Sequence, residues 1–202
     1  MYIVALTGGI GAGKTVAADL FRERGAVVLD LDDVARRLLS PGNDVYSEVV
    51  AAFGEDLVDE SGEFDRPALA SRAFSCHSNA TLLNAIVHPA IARDVLPGLT
   101  EMGLLQNPPA IVVLVVPMLV EAPVFGEIAD VILAVTADEE ERIARAARRG
   151  MDEADVRRRV ECQATDAQRR AIADHVIDNN GTIDEFLHSL GEFWDGVVLR
   201  AP

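Results

Sequence analysis

Residues Gly8 to Thr15 read Gly-Gly-Ile-Gly-Ala-Gly-Lys-Thr, with the apolar run YIVAL (2–6) ahead of them and a helical pattern from Lys14 to Arg24 behind. Strand, eight-residue glycine loop and helix in that order leave few folds open, because the pattern G-x-x-x-x-G-K-[ST] in this setting is a phosphate cradle. Glycines at 8, 9, 11 and 13 let the backbone take positive φ and turn successive N–H groups onto phosphate oxygens. The helix that follows directs its positive N-terminal end at the same anion. Gly8, Gly9, Ile10, Gly11, Ala12, Gly13, Lys14, Thr15 and Val16 are therefore the candidate nucleotide-binding residues. Lys14 reaches the β- and γ-phosphates, and Thr15 offers its hydroxyl to Mg²⁺.

Lys14 is also the only lysine; the other 17 of the 18 basic residues are arginine. A compact ammonium on a flexible stem fits inside a phosphate cradle, where a planar guanidinium is bulkier and demands fork geometry. A chain that uses arginine elsewhere has kept lysine where size decides.

Further strands are expected at AVVLD (26–30), IVVLVV (111–116), DVILAVT (130–136) and HVIDN (175–179). The first four strands are nearly continuous in apolar character, as for parallel strands covered on both faces. Their alternation with helical patterns predicts an α/β doubly wound, mostly parallel five-stranded sheet. Between Asp32 and Pro109 only helical stretches occur, at 43–53, 66–74 and 79–96, and a structureless loop of that length is uncommon. The expected organisation is one domain: a core of 1–31, 109–141 and 171–202, a helical insertion over about 32–108, and an arginine-rich lid over about 142–170. Ile183, Phe186, Leu187, Leu190 and Trp194 share one face of a closing helix.

The formal charge of −15 disfavours nucleic acid and anionic membranes as partners. Cys76 and Cys162 lack metal-ligand spacing and are expected as buried free thiols in a reducing compartment. The N-terminus lacks the basic leader of a signal peptide, and the apolar run 110–120 is short and broken by Pro117. A cytoplasmic protein, monomeric or weakly self-associating, is expected.

A guanine-recognition N-K-x-D motif is impossible with the single lysine at 14, which removes GTPases. Pro117 follows the third strand where motors and large ATPases carry an acid. The acids stand instead at the end of the second strand: Asp30, Asp32 and Asp33. Ligands in doubly wound sheets sit outside the carboxyl ends of strands. A carboxylate there accepts the proton of an attacking hydroxyl or helps order Mg²⁺. Strand alternation puts Asp30 and Asp32 on one side, with Asp33 starting the next helix; alternatively Asp32 or Asp33 caps that helix.

IVALTGGIGAGKT, VVLDLDDVARRLLSPG, GEFDRPALASRAF, LLNAIVHPAI, VVPMLVE, RRGMDEADVRRRVECQ and ADHVIDNNG stand in this order from residue 3 to about 181. In these stretches the sequence resembles the dephospho-CoA kinase family, small P-loop kinases of the nucleoside-monophosphate-kinase type. The resemblance implies a three-layer P-loop kinase fold. It also implies ATP-dependent phosphorylation of the ribose 3′-hydroxyl of dephospho-CoA, the last step of coenzyme A biosynthesis, with ATP and Mg²⁺. Asp32 matches the second acid of the family's Asp-Ala-Asp motif and resembles its general base, with Asp30 beside it; Leu31 replaces the alanine. Arg66, His88 and Glu121 match positions on the substrate side, and Val120 replaces the family's phenylalanine before Glu121. Nine arginines fall within 142–170. Arg149 fits the lid motif best as the residue that stabilises the transferring phosphoryl group, with Arg145 a turn earlier and Arg142 next. The competing reading of each arginine is a solvated helix face paired with neighbouring acids. Other functions compatible with the loop are a kinase for a nucleotide, nucleoside or sugar acid, and a nucleotide-binding module without catalysis.

Overall fold

The computed structural model describes residues 1–201. Five strands, β1 (Tyr2–Gly8), β2 (Val27–Asp30), β3 (Ile111–Val115), β4 (Val131–Thr136) and β5 (His175–Asp178), form one parallel sheet in the order β2-β3-β1-β4-β5. The register sets Val4 opposite Val113 and Val131, so β1 lies at the centre with both edges paired. Alternation then sends side chains to two cores. Val4, Leu6, Val113, Val115 and Leu133 face α1 (Lys14–Glu23) and the C-terminal helix, where Phe21 stacks on Trp194 at 5.3 Å. Ala5, Val112 and Leu114 face the insertion.

That insertion is mainly helical, with α2 (Leu31–Leu38), α3 (Asp44–Phe53), α4 (Arg66–Ala73) and α5 (His77–Gly103), and a loop between α3 and α4 is closed by an antiparallel bridge of Val58 with Phe64. Asp65 caps α4 by accepting from the Ala68 N–H at 3.0 Å. The expected helix 79–96 extends to Gly103 and runs through Pro89 and Pro97. Burial of Val87, Ile91, Val95 and Leu99 against the sheet and the neighbouring helices outweighs the backbone bonds the prolines remove. A short α6 (Val124–Glu127) follows β3. The arginine-rich zone folds into three helices, α7 (Glu139–Arg148), α8 (Glu153–Cys162) and α9 (Asp166–Ile172), the last packed on β4 and β1. The closing helix α10 (Ile183–Val198) starts with a Thr182–Glu185 capping box.

Three expectations are corrected. Asp32 does not continue β2: the strand ends at Asp30, whose Oδ1 accepts the Asp32 N–H at 2.9 Å and so caps α2. The two acids are neighbours through a helix cap, not strand alternation. Cys76 is exposed at the start of α5, and only Cys162 is buried. Ile183 is 55% exposed because it begins the first turn of α10, ahead of the buried stripe Phe186, Leu190 and Trp194. No helix among the described residues is long and apolar enough to cross a membrane.

Candidate active site

The glycine loop leaves β1 at the sheet centre and enters α1 at Lys14. Its tightness is dictated from outside as well as by its own turns. At Gly11 φ is +74°, and a Cβ there would lie 2.1 Å from the Arg142 carbonyl oxygen. At Gly9 a Cβ would lie 2.2 Å from Arg142 Nη1. Glycine is thus required at 11 by backbone conformation and by the α7 backbone, whereas at 9 a side chain would have to displace the buried Arg142 guanidinium. From the other side, Asn179 Nδ2 donates to the Ala12 carbonyl at 2.8 Å and steadies the loop.

Lys14 Nζ donates to the carbonyls of Gly8 (2.8 Å) and Gly9 (3.1 Å). Burial lowers its pKa to about 8, the Arg169 and Arg142 charges acting in the same direction; Asp32 and Asp30 oppose them. Across from it, desolvation and then the Asp30 charge raise the pKa of Asp32, against the pull of Lys14. Asp32 remains open to the cleft although the walls crowd it, so a substrate can reach its carboxylate. A base with a raised pKa beside a lysine with a lowered one is a pairing suited to proton and phosphoryl transfer.

Asp32 stands where two spaces meet. A cleft of about 830 Å³ is lined by Ile10, Lys14, Asp32, Arg66, Phe74 and Gln163 among others, and it runs between the phosphate loop, the insertion and the lid. Behind Asp32 lies an apolar cavity of about 160 Å³, walled by Leu31, Phe74, Val87, Ile91 and Phe125, with Asn84 and His88 as polar groups. Burial holds the His88 pKa below its usual value, and its Nδ1 lies 3.4 Å from the Glu121 carbonyl. A neutral imidazole on an apolar wall is suited to binding a planar, uncharged part of a ligand.

A family model described as dephospho-CoA kinase matches residues 2–185. The chain belongs to the dephospho-CoA kinase family. A dephospho-CoA kinase from Corynebacterium efficiens is 39% identical over 185 residues, covering 91% of each chain. One from Mycolicibacterium paratuberculosis is 40% identical over 98% of this chain, which spans only 48% of that longer relative. Among solved structures, a protein from Thermus thermophilus with 31% identity superposes with a TM-score of 0.73 over 96% of this chain and 97% of that one.

For a dephospho-CoA kinase, the arginines divide in an order the sequence did not indicate. Arg142 is 4% exposed and its Nε donates to the Ala137 carbonyl at 3.0 Å, which places it against the loop. Arg149, the residue favoured from the lid motif, is exposed at the end of α7, and its side chain makes no hydrogen bond or ion pair among the described residues. Arg145 donates to the Asn179 carbonyl at 2.8 Å, beside the loop, and its buried Nη1 has no partner among the described residues. Most other arginines of the segment follow the bland reading: Arg157 clasps Glu140 and Glu153, Arg158 and Arg159 bind Asp155, and Arg170 binds Asp178. The local charge inversion is largely neutralised at short range.

On the acceptor side, Arg66 lines the cleft and is exposed, its Nη2 3.5 Å from the Arg36 carbonyl. Glu121 does not open onto that cleft. Its Oε1 accepts the Ala164 N–H at 2.8 Å, tying the turn between β3 and α6 to the lid, and its buried Oε2 has no partner among the described residues. Asn179, Arg169 and Phe74 belong to the site without having been singled out. Asn179 lies in the quoted stretch ADHVIDNNG, yet nothing in the sequence shows that it meets the loop 167 residues away.

Proposed function

We propose that this chain transfers the γ-phosphoryl group of ATP to the ribose 3′-hydroxyl of dephospho-CoA, giving coenzyme A and ADP. The observation that carries this reading is that Asp32 borders both the lysine-bearing phosphate cleft and an apolar cavity sized for part of an acceptor. The 3′-hydroxyl proton passes to an Asp32 carboxylate oxygen while the 3′-oxygen bonds to the γ-phosphorus. The bond from that phosphorus to the β–γ bridging oxygen breaks, and ADP departs with the electron pair. Loop N–H groups, Lys14 and Arg142 neutralise the phosphate charge. Arg145 holds the nucleotide at the Asn179 side, Arg66 and His88 hold the acceptor, and Glu121 acts through Ala164 by fixing the lid's base. Arg149, free in this arrangement, is available to reach the transferring group as the lid moves.

Thr15, Asp30 and Asp32 are hard oxygen donors. No group of three or more His, Cys, Asp or Glu among the described residues forms a cage. That set fits Mg²⁺, which keeps several waters and arrives bound to the nucleotide phosphates. Held by Thr15, with Asp30 or Asp32 helping to order it, the ion would supply charge neutralisation to the phosphates. We place the reaction in the cytoplasm, where both cysteines stay reduced.

The test is ADP release with dephospho-CoA, AMP, shikimate and gluconate as acceptors. Dephospho-CoA is expected to be turned over with the highest kcat/KM; preference for any other acceptor overturns the proposal.

A further inference from the structure

Arg142 and Arg169 are the only fully buried charged residues among the described residues, at 4% and 2% exposure. They come from different helices, α7 and α9, and converge on the same glycine. A Cβ on Gly9 would lie 2.2 Å from Arg142 Nη1 and 3.4 Å from Arg169 Nη1. One carboxylate lies between them. Asp166 Oδ1 is 2.8 Å from Arg169 Nη1, and Asp166 Oδ2 is 3.8 Å from Arg142 Nε. Glu139 reaches Arg142 only at 3.9 Å and is mostly solvated. Lys14, a third cation nearby, has Asp32 and Asp30 as its counter-charges, and Glu121 acts on Arg169 only at longer range, so the excess is local to the Arg142–Arg169 pair, whose one close shared carboxylate is Asp166. Each guanidinium has five N–H donors. Arg142 gives one hydrogen bond to protein, to Ala137, and Arg169 gives one, to Asp166.

Buried cations in excess of their counter-charge are destabilising, and the strain is relieved when an anion joins them. We infer that Arg169 is a positioning residue for the nucleotide. With Asp166 it holds the Arg142 guanidinium against Gly9, and the cation excess so created makes binding of a polyphosphate stabilise the fold. The inference rests on the nucleotide reading of the loop and not on the identity of the acceptor.

Removing a cation and removing the counter-charge then act in opposite directions. Thermal unfolding of the whole chain is measured without ligand, with sodium tripolyphosphate and with ATP. Arg169→Met leaves the ligand-free Tm unchanged or higher, at least halves the shift produced by ATP, and raises KM for ATP by about tenfold, the value of one charge-assisted contact. KM for dephospho-CoA stays within about threefold, because the acceptor lies on the far side of Asp32. Arg169→Lys keeps most of the ATP shift. Asp166→Asn lowers the ligand-free Tm and enlarges the ATP and tripolyphosphate shifts beyond wild type. A lower ligand-free Tm for Arg169→Met with an undiminished ATP shift overturns the inference, as does an ATP shift reduced in Asp166→Asn. Should Arg169→Met not fold, Asp166→Asn and Arg169→Lys decide by the same criteria. A wild-type protein shifted by ATP but inactive on dephospho-CoA refutes the acceptor and leaves this inference standing.

Discussion

Replacing Lys14 by methionine is expected to make the ligand-free protein more stable while abolishing its function. Desolvation holds the Lys14 pKa at about 8 against an ordinary value of 10.5. At about 1.4 kcal/mol per unit, keeping the charge in place costs about 3 kcal/mol near pH 7. Methionine removes that cost and fills similar space, but it also removes the two hydrogen bonds to Gly8 and Gly9, each worth about 1 kcal/mol. The net gain is about 1–2 kcal/mol, or about 2–8 °C in Tm for a chain of this size. The pH dependence gives a sharper test. Between pH 8 and 10.5 the unfolded chain holds the lysine proton and the folded one has released it. The wild type therefore gains stability from this group as pH rises through that window. Carried to pH 9.5, the wild type recovers about 2 kcal/mol, which closes the gap to the variant. Differential scanning calorimetry of both proteins at pH 7 and 9.5, with and without ATP, measures all of this. A Tm difference that does not change between the two pH values would refute the reasoning, as would an ATP-induced shift retained by Lys14→Met.

Asp32→Asn keeps the geometry but cannot accept the proton, so kcat falls by about 10²–10⁴ while an ATP-induced Tm shift persists. Because desolvation and Asp30 both raise the Asp32 pKa, wild-type kcat/KM declines on the acid side at a pH above the ordinary aspartate value. Asp30→Asn, which can still cap α2, moves that limb to lower pH in a pH–rate profile. Glu121→Ala leaves the Ala164 N–H unpaired and costs about 1–2 kcal/mol in urea unfolding, whereas Glu121→Gln retains the acceptor oxygen and most of the stability. Arg157→Met breaks the pairs with Glu140 and Glu153 on an exposed helix surface, and its Tm stays within about 2 °C of wild type.

What the sequence by itself determined is local in origin. β-Branched runs specify strands, the glycine loop between β1 and α1 specifies a phosphate site, and the seven short motifs in order point to the family. Each depends on residues close along the chain, where propensity and spacing act directly. The tertiary structure decided what depends on meetings between distant segments. Asp30 and Asp32 were legible as a pair, but their relation through a helix cap was not, since an acid after a strand can extend it or start a helix. The arginine segment was legible as basic; which arginines matter was not. Burial against Gly9 selects Arg142 and Arg169 from two different helices, while Arg157 to Arg159, equally basic, face nearby acids and are neutralised. Composition counts a guanidinium the same way in both places. Only packing, by excluding water from two of them beside a loop of N–H groups, sets a guanidinium where the proposed nucleotide site needs one.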